Sequence, residues 1–262
     1  MLTRSLPRFG SRRSVRIFER NFMVYRSQWL MLVSGFFEPL FYLLSIGIGL
    51  NHLVGNLPVG GRVVSYATFV APGMLATSAM NGAVIDSIFN TFFRLKISRA
   101  YDAILSTPLD VTDVALGEVW WALARAAIYA ASFIICMAVL GDAGSAWVVL
   151  CWPAAIVTSF AFSCLGLAAC TFIRSWQDFD LVALVQLPLF LFSATFFPIS
   201  LYPRWLGAIV AFSPLYQSAA LLRGLALGQF HWIMTMRVGY LVALAGAGLW
   251  FAARRFRRIL VP

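Results

Sequence analysis

The chain has 262 residues, 61% of them hydrophobic and 11% charged, with a mean hydropathy of +0.84. A soluble domain carries about 25% charged residues, so this composition excludes a water-soluble globule and indicates an integral membrane protein. The net charge of +10 does not point to nucleic acid, because the basic residues flank apolar runs instead of lining a groove interleaved with stacking aromatics.

Residues 1–27 carry Arg4, Arg8, Arg12, Arg13, Arg16, Arg20 and Arg26, with Val15, Phe18, Phe22 and Tyr25 at helical spacing. This pattern predicts an amphipathic interfacial helix. Two readings are open for it: a simple anchor, or an elbow on the cytoplasmic surface that moves with the first span. The segment is too polar to contain the apolar core of a secretory signal.

Residues 28–262 are expected to form one transmembrane domain, because apolar segments of about 20 residues recur, each long enough to cross some 30 Å of hydrocarbon. Sheet is not expected: these runs lack the alternation of a membrane barrel, and an open edge cannot be satisfied in lipid. The fold class is therefore all-α and polytopic, with six transmembrane helices, the N-terminal amphipathic helix, and a re-entrant or surface helical segment after span five.

Span one, about Leu30 to Leu50, contains Glu38-Pro39, which should kink it and place a carboxyl group in hydrocarbon. Gly55 to Arg62 reads as a turn-rich loop. Span two, about Ala67 to Phe93, is rich in small residues that admit a close neighbour. It leads into the one long polar stretch, Arg94 to Glu118. There a short helix from Ser98 to about Ser106 should stop at Thr107-Pro108, and a second should start at Asp110 or Thr112. Span three, about Val119 to Leu140, and span four, about Trp147 to Phe172, are marked by interfacial tryptophans. The short Ile173 to Asp180 turn demands antiparallel neighbours. Span five, about Leu181 to Phe197, is broken by Pro188, and with Pro198, Pro203 and Pro214 following, the chain up to His231 cannot be one straight helix. Span six, about Trp232 to Phe251, ends in an arginine cluster.

Six spans place both termini on one side. That side would hold seven basic residues in 1–27, three at 94–99, Arg174 and four at 254–258, fifteen of the twenty in the chain. The other side would hold Arg62, Arg204, Arg223 and Arg237. The positive-inside rule makes the richer side, termini included, cytoplasmic.

Three charges lie within apolar runs: Glu38, Asp86 and Arg125. Each is seven or eight residues from the cytoplasmic end of its span, near 10 to 12 Å deep at about 1.5 Å per residue, so they can meet and neutralise one another. Whether such a cluster only fixes helix register or also gates a path is open. Asn81, Gln186, Ser193 and Thr195, with Phe190, are candidates either to line a path or to bond helix to helix. Arg223 would meet an anionic head group or snorkel to the outer surface. Cys136, Cys151, Cys164 and Cys170 form no CxxC pair and read as small core residues, and with only His52 and His231 present no metal site is expected.

Phe37-Glu-Pro-Leu40, Arg99-Ala-Tyr-Asp102 with Ser106-Thr-Pro-Leu109 and Gly117-Glu118, then Phe196-Phe-Pro198 and Ser213-Pro-Leu-Tyr216 together resemble the ABC-2 type exporter permeases, especially the nodulation-factor and daunorubicin-type permeases, over essentially the whole chain. The resemblance implies a permease dimer, of two copies or of one copy with a sibling, bound on its cytoplasmic face to two ABC ATPase subunits. At the matching positions Arg99, Tyr101, Asp102, Ala103 and Leu105 would form the coupling helix that docks into the ATPase, with Thr107 and Pro108 at its end. The Arg174 to Asp180 turn would be a second contact. The sequence itself has no GxxxxGK[ST] loop, Lys96 being its single lysine, so ATP and Mg²⁺ would be used by the partner and no cofactor bound by this chain. The resulting expectation is an export permease in the bacterial inner membrane, in contact with lipid, moving an amphipathic, lipid-like, drug or glycan substrate. A membrane-embedded transferase acting on a lipid-linked substrate is the alternative, for which the charged trio offers no nucleophile. An ion-coupled carrier often shows an inverted repeat, and none is visible.

Overall fold

The computed structural model describes residues 19–23, 41–45, 49–59, 61–94 and 111–260. Residues 19–23 are helical; the remainder of the expected 1–27 helix lies outside the described residues. The expected loop after span one is instead a hairpin. Strand β1 (Asn56–Val59) pairs antiparallel with β2 (Arg62–Ser65), Asn56 opposite Ser65 and Val59 opposite Arg62. Gly61, just before β2, has a φ of +80°, which glycine permits, and Val59, Val63 and Val64 suit a pleated strand. Sheet thus occurs here, outside the apolar spans, where lipid does not forbid an open edge.

Ser65 then caps α1 (Tyr66–Ile85), its Oγ accepting the Thr68 N–H at 3.1 Å. Helix α1 runs on through a π turn, Asp86–Asn90. Helix α2 (Val111–Leu140) has 30 residues, about 45 Å at 1.5 Å per residue. It outreaches the bilayer, and its stretch 116–140 is long and apolar enough to cross one. It ends where Asp142 N–H reaches Met137 C=O at 2.8 Å and Gly141 adopts a φ of +81°, the left-handed helix stop that glycine permits. A 3₁₀ turn, Ala146–Leu150, opens α3 (Cys151–Cys170). After it come α4 (Phe179–Leu191), α5 (Arg204–Phe212), α6 (Pro214–Ala226) and α7 (Ile233–Leu260).

Helix α3 is the centre of the bundle and packs on α1, α2, α6 and α7. Lipid is as apolar as leucine, so helices associate by close van der Waals contact at small residues. A Cβ on Gly248 of α7 would come within 3.0 Å of the Cys164 backbone, and one on Gly166 of α3 within 2.5 Å of Ser87 Oγ. In the most apolar stretches of α1 and α3, 67% and 56% of residues are buried, against 22% in α2 and α7; the first pair is inner, the second faces outward. All four cysteines are buried and free of disulfides, and Cys151 donates to the Leu222 carbonyl at 3.3 Å.

Among the described residues, four stretches, 66–90, 116–140, 146–170 and 233–256, are long and apolar enough to cross a membrane. Helices α5 and α6 add a fifth if a pair bent by 85° is taken as one span. Expected span one lies outside the described residues except for 41–45 and 49–50, where Leu43 is buried in the core. Expected span five falls short: α4 has 13 residues, about 20 Å. Past Pro188 the Phe192 N–H bonds back to the Pro188 carbonyl, Ser193 Oγ caps Phe190 C=O at 2.7 Å, and Ala194 turns at a φ of +53°. Six spans are therefore not reached among the described residues.

The break after α4 is held by Arg223 of α6, which neither snorkels nor meets solvent. Buried, it donates through Nε to Phe69 C=O at 3.0 Å and through Nη2 to the carbonyls of Ala194 and Thr195 at 3.0 and 3.2 Å, with its guanidinium 3.9 Å over the Phe69 ring.

Antiparallel packing gathers the ends. Phe92 at the end of α1 meets Trp176 and Phe179 at the start of α4, and Arg255 of α7 reaches Thr171 C=O after α3 at 3.5 Å. This basic end is opposite the end that holds the hairpin, where Gln229 donates to Val59 C=O and Trp147 packs edge-on to Phe230.

Gly246 and Gly248 offer a paired test of the α3–α7 contact, since a Cβ on Gly246 meets nothing within 4 Å. Gly248→Val should cost about 1–3 kcal/mol through overpacking and lower the melting temperature in detergent, while Gly246→Val should leave it within error; scanning fluorimetry on both variants checks this.

Candidate functional site

Two ion pairs join the α1 segment to α2. Arg125 Nη1 donates to Asp86 Oδ1 at 2.6 Å, its Nη2 to the Tyr129 hydroxyl at 3.1 Å, and Asn90 Nδ2 reaches the same Asp86 oxygen at 3.3 Å. Both charged side chains are largely buried. Asp86 is the first residue of the π turn, where the ladder is locally rewound; such turns recur at functional sites. Glu38, expected beside them, lies outside the described residues.

Eight residues further along the α1 segment and seven back along α2, about 10 to 12 Å toward the basic end, Arg94 Nη1 donates to both carboxylate oxygens of Glu118. Arg20 lies 3.5 Å from the same carboxylate, Asn21 Nδ2 donates to it at 3.3 Å, and Arg20 Nη2 donates to Asn21 Oδ1 at 2.9 Å. The order of charge is inverted between the two rungs: acid on α1 with base on α2, then base on α1 with acid on α2. Glu118 belongs to the polar stretch in sequence but gave no sign of being the buried hub on which the N-terminal segment, α1 and α2 converge; a lone carboxylate just before an apolar run, opposite Arg94 in antiparallel register, was the available signal.

Arg99, Tyr101, Asp102, Ala103, Leu105, Thr107 and Pro108, expected to form the coupling helix and its end, all lie outside the described residues. They fall between Arg94 and Val111, and the Arg94–Glu118 pair lies seven residues further along α2.

On the side of α1 away from Asp86, the helices α1, α3 and α4 line an open recess of about 620 Å³, within the usual size of ligand sites. Its walls are chiefly Met80, Val84, Phe162, Leu165, Val185 and Leu189, with Arg174 and Asp178 at the basic end and Pro214, at the α5–α6 bend, on the far wall. Gln186 lines it and donates to Asn81 Oδ1 at 2.6 Å. Of the other expected polar residues, Ser193 and Thr195 are fully buried with their hydroxyls 2.6 Å apart, and Phe190 packs edge-on against Phe196. At the mouth, Asp178 accepts the N–H of Arg174 at 2.6 Å and of Ser175 at 3.1 Å; these bonds hold its carboxyl below the usual range. No cluster of three metal-binding side chains occurs among the described residues.

The family model of the ABC-2 type transporter matches residues 14–227. Nodulation protein J of Rhizobium leguminosarum bv. trifolii is 34% identical over 224 residues, 84% of this chain and 83% of the relative. The protein of that name from Rhizobium meliloti (strain 1021) is 30% identical over 252 residues, 95% and 94% of the two chains. That from Bradyrhizobium diazoefficiens is 28% identical over 247 residues, 94% and 93%. With the match running from the N-terminal segment through α6, this chain is a multi-pass membrane protein that belongs to the ABC-2 type transporter family.

Proposed function

We propose that the chain is the membrane-spanning permease subunit of an ATP-driven exporter in a bacterial inner membrane, with the basic end in the cytoplasm. The observation that carries this reading is the family match over residues 14–227 in a chain without a phosphate-binding loop of its own. A partner must then supply the nucleotide site. Two ATPase subunits, holding ATP and Mg²⁺, would dock on the cytoplasmic face of two permease copies. Arg99 to Leu105 would be the coupling helix and the Arg174 to Asp180 turn a lesser contact.

On this reading, closure of the ATPases moves the 95–110 loop, and the motion enters the bundle at Arg94 and Glu118. The next rung, Asp86 with Arg125, sits where the π turn leaves the α1 ladder least regular. The recess on the other side of α1 supplies an apolar path for an amphipathic, lipid-like, drug or glycan substrate, with Gln186 and Asn81 its polar station.

Tyr101→Ala and Asp102→Ala should each weaken capture of the ATPase by the tagged permease about tenfold, as for interface residues worth more than 1 kcal/mol, without changing its melting temperature. Unchanged capture and unchanged transport would remove the coupling assignment.

Asp86→Arg and Arg125→Asp, made singly, should each destabilise the permease by about 3–5 kcal/mol, because one buried charge is left uncompensated. The double reversal should recover most of that in a detergent melt. Export measured on the double variant separates the roles: recovery with stability means a register lock, and continued loss at restored stability means a gate.

A further inference from the structure

The cavity along α4 is apolar over nearly all its wall, yet its mouth carries Arg174 and Asp178, with Arg255 close by. Arg174 is exposed on the rim, and Arg255 lies 4.0 Å over the ring of Phe172, another wall residue. Asp178 is also at the rim, but its carboxylate is turned to the backbone N–H groups of Arg174 and Ser175. From Asp178 to Leu189 is eleven residues, about 16 Å along α4, so the recess is long and lies parallel to the membrane-crossing helices. Inside it, the Gln186 amide is engaged by Asn81, and the wall asks for hydrocarbon. Trp176, exposed beside the mouth, is the residue type that settles at head-group level.

An apolar wall, a basic mouth and an orientation along the bilayer normal together describe one ligand chemistry. We propose that this cavity holds one acyl chain of an anionic phospholipid from the leaflet at the basic end, with its phosphate drawn to Arg174 and Arg255. The site does not depend on the transport reading, since a resident lipid needs neither ATP nor cargo. Charge singles it out: the recess between α2 and α3 formed by Ala131, Ile134, Ile135, Val149 and Trp152 has about 240 Å³ and no basic residue on its wall. It serves as the internal control for ordinary lipid contact.

The test uses the full chain in nanodiscs containing phosphatidylglycerol or phosphatidylcholine of matched chains, each with a photoreactive diazirine near the chain end, followed by peptide mapping. Phosphatidylglycerol should label peptides covering 162–169 and 185–189 severalfold more than phosphatidylcholine does, and more than the control peptide covering 131–135. Arg174→Gln should lower the phosphatidylglycerol labelling about fivefold, the ratio for roughly 1 kcal/mol per basic residue at a charged membrane surface. Val185→Trp fills the recess from an exposed position of α4 and should suppress labelling by both lipids while the melting temperature stays unchanged. The proposal is overturned by equal labelling from the two lipids, by groove labelling no higher than the control, by labelling that survives Val185→Trp, or by a groove that neither lipid reaches because another chain or a cargo covers it.

Discussion

Hydrocarbon offers no partner to an opened peptide group, and this constraint decides where the chain can stop being helical. Helix α4 ends after 13 residues, and the turn that follows exposes the carbonyls of Ala194 and Thr195. A single side chain, Arg223, meets both and the carbonyl of Phe69 as well. Its charge is tolerated because three oxygens and the face of an aromatic ring replace its water. Gly73 is what lets the parts meet: a Cβ there would stand 3.2 Å from Arg223 Nη2 and 3.0 Å from the Thr195 side chain. The break after α4 rests on that arrangement.

The same economy explains why α4 stands apart. It carries no fully buried residue and is tied in at discrete points. Phe179 stacks on Phe89 with centroids 4.2 Å apart, Gln186 bonds to Asn81, and Phe190 meets Phe196. Contact at points and not along a seam leaves volume between α4 and the α1–α3 wall. By contrast, α3 meets α7 backbone to side at Gly248 and leaves none. The positions of the small residues thus determine both the dense half of the molecule and the open half.

Much of the architecture was legible because membrane spans are written in hydropathy. The stretches expected for spans two, three, four and six fall on α1, α2, α3 and α7, and the prolines marked the broken segment before α7. Two errors have physical causes. The hairpin was missed because Gly55 to Arg62 was read only for its turn residues, although Val-Gly-Gly-Arg is also a hairpin turn between β-branched strands. Arg223 was placed at the outer surface because a lone arginine in an apolar run suggests snorkelling, and carbonyls released by a break 28 residues away leave no mark in its local sequence. At the candidate site, helical depth alone placed Asp86 beside Arg125 as a possible pair, whereas the hub role of Glu118 requires three segments to converge and cannot be read from any one of them.

The inverted polarity of the two rungs has a structural consequence of its own. In an antiparallel pair a slide of one helix by two turns would carry Arg125 toward Arg94, or Asp86 toward Glu118, and bring like charges together in a medium that screens them poorly. Register between α1 and α2 is therefore specified by repulsion as well as attraction, the role for which buried polar groups are best attested. Arg94 closes the described part of the α1 segment and Glu118 lies seven residues inside α2, so the first rung ties the two helices about two turns beyond Val111. The π turn that begins at Asp86 leaves the α1 ladder less regular just where the second rung sits, since each of its turns holds an extra residue. The Arg94–Glu118 pair and the π turn that begins at Asp86 are thus neighbouring parts of one helical segment, with seven residues between Asp86 and Arg94.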